Sequence, residues 1–158
     1  AKMPVGATFF DQTYFPYLDD YPDDYSDLDH QMGKVLWSAL VHSPWDHAGD
    51  ENFYQTLRQK VLALREQTDK ALMITCGCNL FEWGTFLRRM DNFLMDIYAD
   101  PEHVQELVEQ LMMRHLATLE KVCASVGDIV DILRFGDDLG MDTGMFMSQE
   151  KYRELFKR

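Results

Sequence analysis

The chain has 158 residues, 46% of them hydrophobic and 13% aromatic, and a formal charge of −12. That length suits one domain with one core, and that composition excludes a disordered chain. The acidic balance excludes a surface built to neutralise nucleic-acid phosphates, and no apolar run approaches the roughly 18 residues of a membrane span.

The cysteines are Cys76, Cys78 and Cys123. An odd count in no regular framework points to a reducing compartment, and no charged-then-apolar leader opens the chain. The expectation is a cytoplasmic protein that binds neither nucleic acid nor membrane. The first 25 residues mix aromatics, aspartates and prolines without period. They read as an irregular arm whose rings pack onto the body or close over a pocket as a lid. Residues 27–41 carry a helical pattern that Pro44 and Gly49 break. Asp50 then suits the N-cap of a helix over 51–67, with Phe53, Leu57, Val61 and Leu64 at helical spacing.

Residues 70–75 form a short apolar run that predicts a buried strand. One or two helices follow, with Gly84 as their weak point. Asp100-Pro101-Glu102 is the clearest helix start: an acceptor to cap, a proline where a missing N–H costs nothing, and an acid against the dipole. The stripe Val104, Leu107, Val108, Leu111, Met112, Leu116, Leu119, Val122 and Cys123 extends that helix to about Ser125, and Gly127 ends it. His103 and His115 read as solvated helix residues. A β-branched strand is predicted over 128–135, then a loop, then a last helix capped by Ser148 with Glu150 in its first turn.

Apolar strands separated by long helices imply a parallel sheet with helices outside it, where ligand chemistry collects at the carboxyl ends of the strands. Two stretches lie at such ends, Cys-Gly-Cys-Asn from 76 to 79 and Gly-Asp-Asp from 136 to 138. Adjacent strand residues point opposite ways, so at most one of Asp137 and Asp138 would face a pocket and the other would cap or brace the loop. The alternative is that both simply organise a glycine-rich turn. The Cys-x-Cys pair falls short of the usual zinc knuckle spacing and needs a third ligand such as His42 or His47; buried thiols are the simpler reading. Met141, Met145 and Met147 in the same loop would suit a soft wall for a flat ligand. Arg88 and Arg89 read as a surface pair or carboxylate anchors.

Several motifs in order resemble the uroporphyrinogen decarboxylase superfamily, closest to its branch found beside corrinoid methyltransferases. They are Gly-x-x-Leu-Phe-Glu at 77–82, Leu-Arg-x-Met-x-x-Phe-Leu at 87–94 and the Asp-Pro-Glu start at 100–102. Gly-Asp-Asp-Leu-Gly at 136–140 and Ser-x-Glu at 148–150 complete the set, which covers about residues 50–158. The resemblance implies an α/β fold of (β/α)8 TIM-barrel type. Such a barrel needs about 250 residues. The chain therefore reads as a single partial domain over 1–158, the arm to 25 and helix and strand units from 26. It would be a partial barrel with a parallel sheet and outer helices, whose open edges favour self-association.

The resemblance also implies the site. Asp137 and Asp138 become the candidate catalytic residues, with Phe81, Glu82, Gly136, Gly140 and Met141 on the substrate side. The arginine-rich motif that true decarboxylases carry near their N-terminus has no match here, and a charge of −12 suits a polycarboxylate substrate poorly. The methyltransferases hold zinc through residues in the later half of their barrel, so Cys76 and Cys78 are not carried over as ligands; any zinc would come from residues outside this chain. The leading expectation is methyl transfer with a corrinoid or folate-type carrier, as small molecule or on a corrinoid-protein partner. Uroporphyrinogen decarboxylation is the second, with the strand-end aspartate bonding pyrrole N–H groups. A non-catalytic interaction module is the third.

Overall fold

The computed structural model describes residues 5, 12–35 and 52–157. The elements are α1 (Leu28–Lys34), α2 (Phe53–Gln67), β1 (Met73–Thr75), α3 (Phe81–Arg88), α4 (Met90–Ala99), α5 (Pro101–Val126), β2 (Ile132–Arg134), β3 (Gly140–Met141), β4 (Gly144–Met145) and α6 (Gln149–Leu155). The fold is mixed α/β, mostly helical, with a small parallel sheet and no closed barrel among the described residues. None of their helices is long and apolar enough to cross a membrane. The predicted helix over 27–41 ends at Lys34 in α1, while residues 36–51, with Asp50, His42 and His47, lie outside the described residues.

Contacts divide the chain into two compact units: Ala1–Ser43, Leu80–Leu111 and Asp138–Arg158 form the first; Pro44–Asn79 and Met112–Asp137 form the second. In the first unit, the arm over residues 12–27 is irregular, and Tyr17, Tyr21 and Tyr25 recur every fourth position with their rings buried. They pack with Leu28, Phe81, Leu87, Phe93, Ile97, Val104, Leu107 and Leu111. Arg88 fastens this arm. Its guanidinium donates to Asp96 Oδ2 at 2.7 Å and to the carbonyls of Tyr17 and Leu18, each at 2.9 Å. It also lies over the Tyr21 ring, whose hydroxyl donates to Asp96 at 3.0 Å. Burial first, then the Asp96 charge, push the Tyr21 phenol far up, so it stays a donor. Arg88 is thus a buried anchor, and Arg89, paired with Asp91 at 2.5 Å, is the exposed member of the pair.

The break between α3 and α4 falls at Arg89, held at φ 69°, and not at Gly84. Gly84 is buried inside α3, and a Cβ there would stand 2.1 Å from Cζ of Phe93. The missing side chain lets an aromatic ring of α4 lie directly on the backbone of α3.

The long helix follows its predicted start closely, with one difference. Val104, Leu107, Val108 and Leu111 enter the core of the first unit, and Leu119, Val122 and Val126 enter that of the second. Leu116 and Cys123, expected in one continuous stripe, are exposed. Positions 104, 108, 111, 119, 122 and 126 follow steps of three and four, and His115 fills the place between 111 and 119.

In the second unit β1 and β2 pair in parallel, Met73 opposite Ile132 and Thr75 opposite Arg134. Both were expected as strands, the first of them buried. They are shorter than the apolar runs suggested and buried on one face, with Ile74 and Leu133 packed inward and Met73 and Ile132 exposed at 55% and 46%. Helix α2 docks through Tyr54, Leu57 and Val61, while Leu64, expected on that face, is exposed. Two arginines lock it. Arg58 donates to Asp128 at 2.6 and 2.8 Å and to the Ser125 carbonyl at 2.6 Å. Arg65 pairs with Asp131 and donates to the Ile129 carbonyl at 2.8 Å, and Asp131 in turn accepts from Leu72 N at 2.8 Å. Such paired donors fix register as well as adding energy.

Candidate functional site

The second unit gathers its polar chemistry at the carboxyl ends of its two strands. After β1, Cys76 N donates to the Arg134 carbonyl at 2.9 Å, and Gly136 N reaches the Gly77 carbonyl at 3.5 Å. The two predicted strand-end stretches therefore lie side by side. Between these bonds the backbone of Gly77 and Cys78 turns through φ 67° and 62°. Two successive left-handed residues, one of them not glycine, are uncommon and mark a turn held by its surroundings. The turn delivers Asn79 into the interior at 7% exposure.

His115 reaches this turn from α5. Its Nε2 lies 3.2 Å from the Asn79 carbonyl oxygen. A carbonyl can only accept, so Nε2 carries the hydrogen and Nδ1 holds the lone pair. Burial drives the ring's pKa below the ordinary 6.5, partly offset by the Asn79 carbonyl and the nearby Asp137 carboxylate. His115 is therefore a neutral, half-buried imidazole and not a solvated helix residue. Its position in the apolar stripe of α5 was the signal that would have found it.

The sign of the consequence follows. The unfolded chain protonates His115 at its ordinary pKa and the folded chain resists, so the full stability contribution is present above pH 6.5 and falls as the pH drops below it. His103 acts oppositely: a 2.7 Å bond to Asp100 raises its pKa, and that contribution fades as pH rises, but the ring is exposed and the effect is small. Urea midpoints at about pH 7.5 and 5.5 check this. Acidification should weaken the wild type more than His115→Gln. Equal losses would remove His115 from the titration.

The thiols at the turn are not ionised nucleophiles. Burial, then the neighbouring Cys76, push Cys78 up to about 11, and its Sγ donates to the Cys76 carbonyl at 3.5 Å. Burial also raises Cys76, whose side chain packs with Val122 and Val126. No group of three His, Cys, Asp or Glu among the described residues is arranged to hold a metal.

The two aspartates part ways. Asp137 is half-buried in the second unit, close enough to His115 to support its basicity. Asp138 is exposed in the first unit, and its Oδ1 accepts from Gly140 N at 3.5 Å, bracing the turn into β3. Gly136 belongs with Asp137. Phe81, Glu82, Gly140 and Met141 belong to the first unit. There Phe81 is fully buried against Phe93, Phe146 and Phe156, and Glu82 opens α3 with its carbonyl accepting from Thr85 Oγ1 at 2.8 Å. The predicted loop contains a hairpin, with Gly140 opposite Met145 and Met141 opposite Gly144, which exposes Met141 and Met145 while Met147 enters the core.

No protein-family model, curated protein or solved structure matches the chain.

Proposed function

We propose that the chain belongs to an enzyme of the uroporphyrinogen decarboxylase superfamily, built on a (β/α)8 barrel in which β1 and β2 are neighbouring strands. Its reaction is transfer of a methyl group involving a corrinoid or folate-type carrier. Asp137 orients or protonates the acceptor at the strand mouth, and Asp138 holds the loop behind it. A corrinoid protein docks over the same strand ends. The cytoplasm is the expected compartment.

The observation that supports this most is the parallel pairing of β1 with β2, which sets Cys76 to Asn79 beside Gly136 and Asp137. Strand carboxyl ends are where barrel enzymes do their chemistry. A charge of −12 and a site rich in acceptors suit a donor-bearing corrinoid better than a polycarboxylate porphyrinogen. The exposed Met73 and Ile132 favour self-association of the chain. Loss of the methylcobalamin spectrum in the presence of a thiol acceptor tests the reading. Demethylation above the protein-free rate supports it, and a rate equal to the blank overturns it.

A further inference from the structure

We infer that Met95 and Tyr98 of α4, with Met141 and Met145 of the β3–β4 hairpin, form a docking face for a basic amphipathic helix of a protein partner. The inference lies wholly in the first unit and does not rest on the proposed reaction.

Met95 and Tyr98 stand three residues apart on α4, so they share one face of that helix. The face is turned away from the core. Met95 is 60% and Tyr98 56% exposed, while Phe93 and Ile97 of the same helix are fully buried. The hairpin sorts its side chains the same way. Phe146 stacks on Phe81 and Met147 enters the core, while Met141 and Met145 are 57% and 49% exposed. The two elements are joined. Phe81, which carries the Phe146 ring, also meets Phe93 of α4, and Ser148 N donates to the Tyr98 hydroxyl at 3.2 Å. Hairpin and helix thus rest on one aromatic cluster, and both put methionines outside it. Large apolar side chains grouped in this way mark an interaction surface. Methionine is unbranched and polarizable, so it adapts to the apolar stripe of an incoming helix.

Charge selects the occupant. Residues 90–113 and 135–150, the two stretches that carry this face, contain no lysine or arginine. The exposed Asp138, Asp142 and Glu150 flank the hairpin methionines along the chain, and the exposed Glu102 follows the end of α4. An apolar strip with acidic borders complements an apolar strip with basic borders. A second copy of this face would set acids against acids, and a charge of −12 opposes an anionic lipid surface.

The probe is a synthetic leucine–lysine amphipathic helix, titrated into the chain labelled with 13C at its methionine methyls. Saturable shifts of the Met95, Met141 and Met145 methyl resonances are expected, while Met73 and Met113, exposed in the second unit, stay in place. A peptide of equal charge with serine for leucine should bind at least about tenfold more weakly, since it has no apolar surface to bury. Met95→Gln combined with Met141→Gln should weaken the leucine–lysine peptide about tenfold. Asp142→Asn combined with Glu150→Gln should flatten the salt dependence of binding. Circular dichroism reports whether a variant misfolds, and the wild-type methyl shifts decide the matter without them. Equal binding of the two peptides, movement of Met73 or Met113 in place of the face methionines, wild-type affinity in the glutamine variant, or no saturable binding would each overturn the inference.

Discussion

Arg88→Ala should destabilise the first unit by about 3 kcal/mol, the usual size of the loss when one member of a buried ion pair is removed. Arg88 and Asp96 are each only 13% exposed, so the carboxylate left behind would lose its cation in a poorly solvated place. The same substitution frees the Tyr17 and Leu18 carbonyls and uncovers the Tyr21 ring. These contacts tie residues 17–21 of the arm to α3 and α4, so the arm should loosen with them. A loss of that size is a large share of a typical domain's margin of 5–15 kcal/mol. Urea denaturation followed by tyrosine and tryptophan fluorescence measures it. Arg88→Lys keeps the charge but not the planar fork that serves one carboxylate and two carbonyls, and should recover only part of the loss. A change below about 1 kcal/mol for the alanine variant would mean that the pair behaves as an exposed one.

Under the proposed methyl-transfer function, Asp137→Asn should lower the rate at least about a hundredfold while leaving the fold unchanged, since a positioned proton donor or acceptor contributes 100- to 10,000-fold. The asparagine keeps the shape and one acceptor oxygen, and removes only the charge and the exchangeable proton. Asp138→Asn is the control beside it. Its Oδ1 accepts from Gly140 N, and an asparagine oxygen can do the same, so turnover should be near wild type. Methylcobalamin consumption under matched thiol distinguishes the two. Full activity in Asp137→Asn, or an equal collapse in both variants, would take Asp137 out of its assigned role.

Much of this arrangement was legible in the sequence because local signals agreed. The proline and glutamate at 101 and 102 start α5, and Ser148 caps α6 by accepting from Lys151 N at 3.2 Å. The two apolar runs pair in parallel where a β–helix–β order demands it. What the sequence hid depends on contacts between distant residues. Gly84 looks like a helix breaker until Phe93 is seen lying on it, and Arg89 shows no turn chemistry that would betray its positive φ. The apolar pattern of α5 hid a histidine within the stripe and an exposed Leu116 just after it, because one helix serves two cores. At the site, the alternation of strand side chains suggested that one aspartate would brace the loop. Which one did so required the hydrogen bond to Gly140 and the position of His115.

The most direct test of the strand-end site is an absorbance titration of the chain with cobalamin and, separately, with coproporphyrin. Saturable cobalamin binding that weakens in Asp137→Asn, together with weaker binding of the polycarboxylate, is the expected result. Coproporphyrin binding alone would contradict methyl transfer and favour decarboxylation, and cobalamin binding unaffected by Asp137→Asn would place the ligand away from these strand ends.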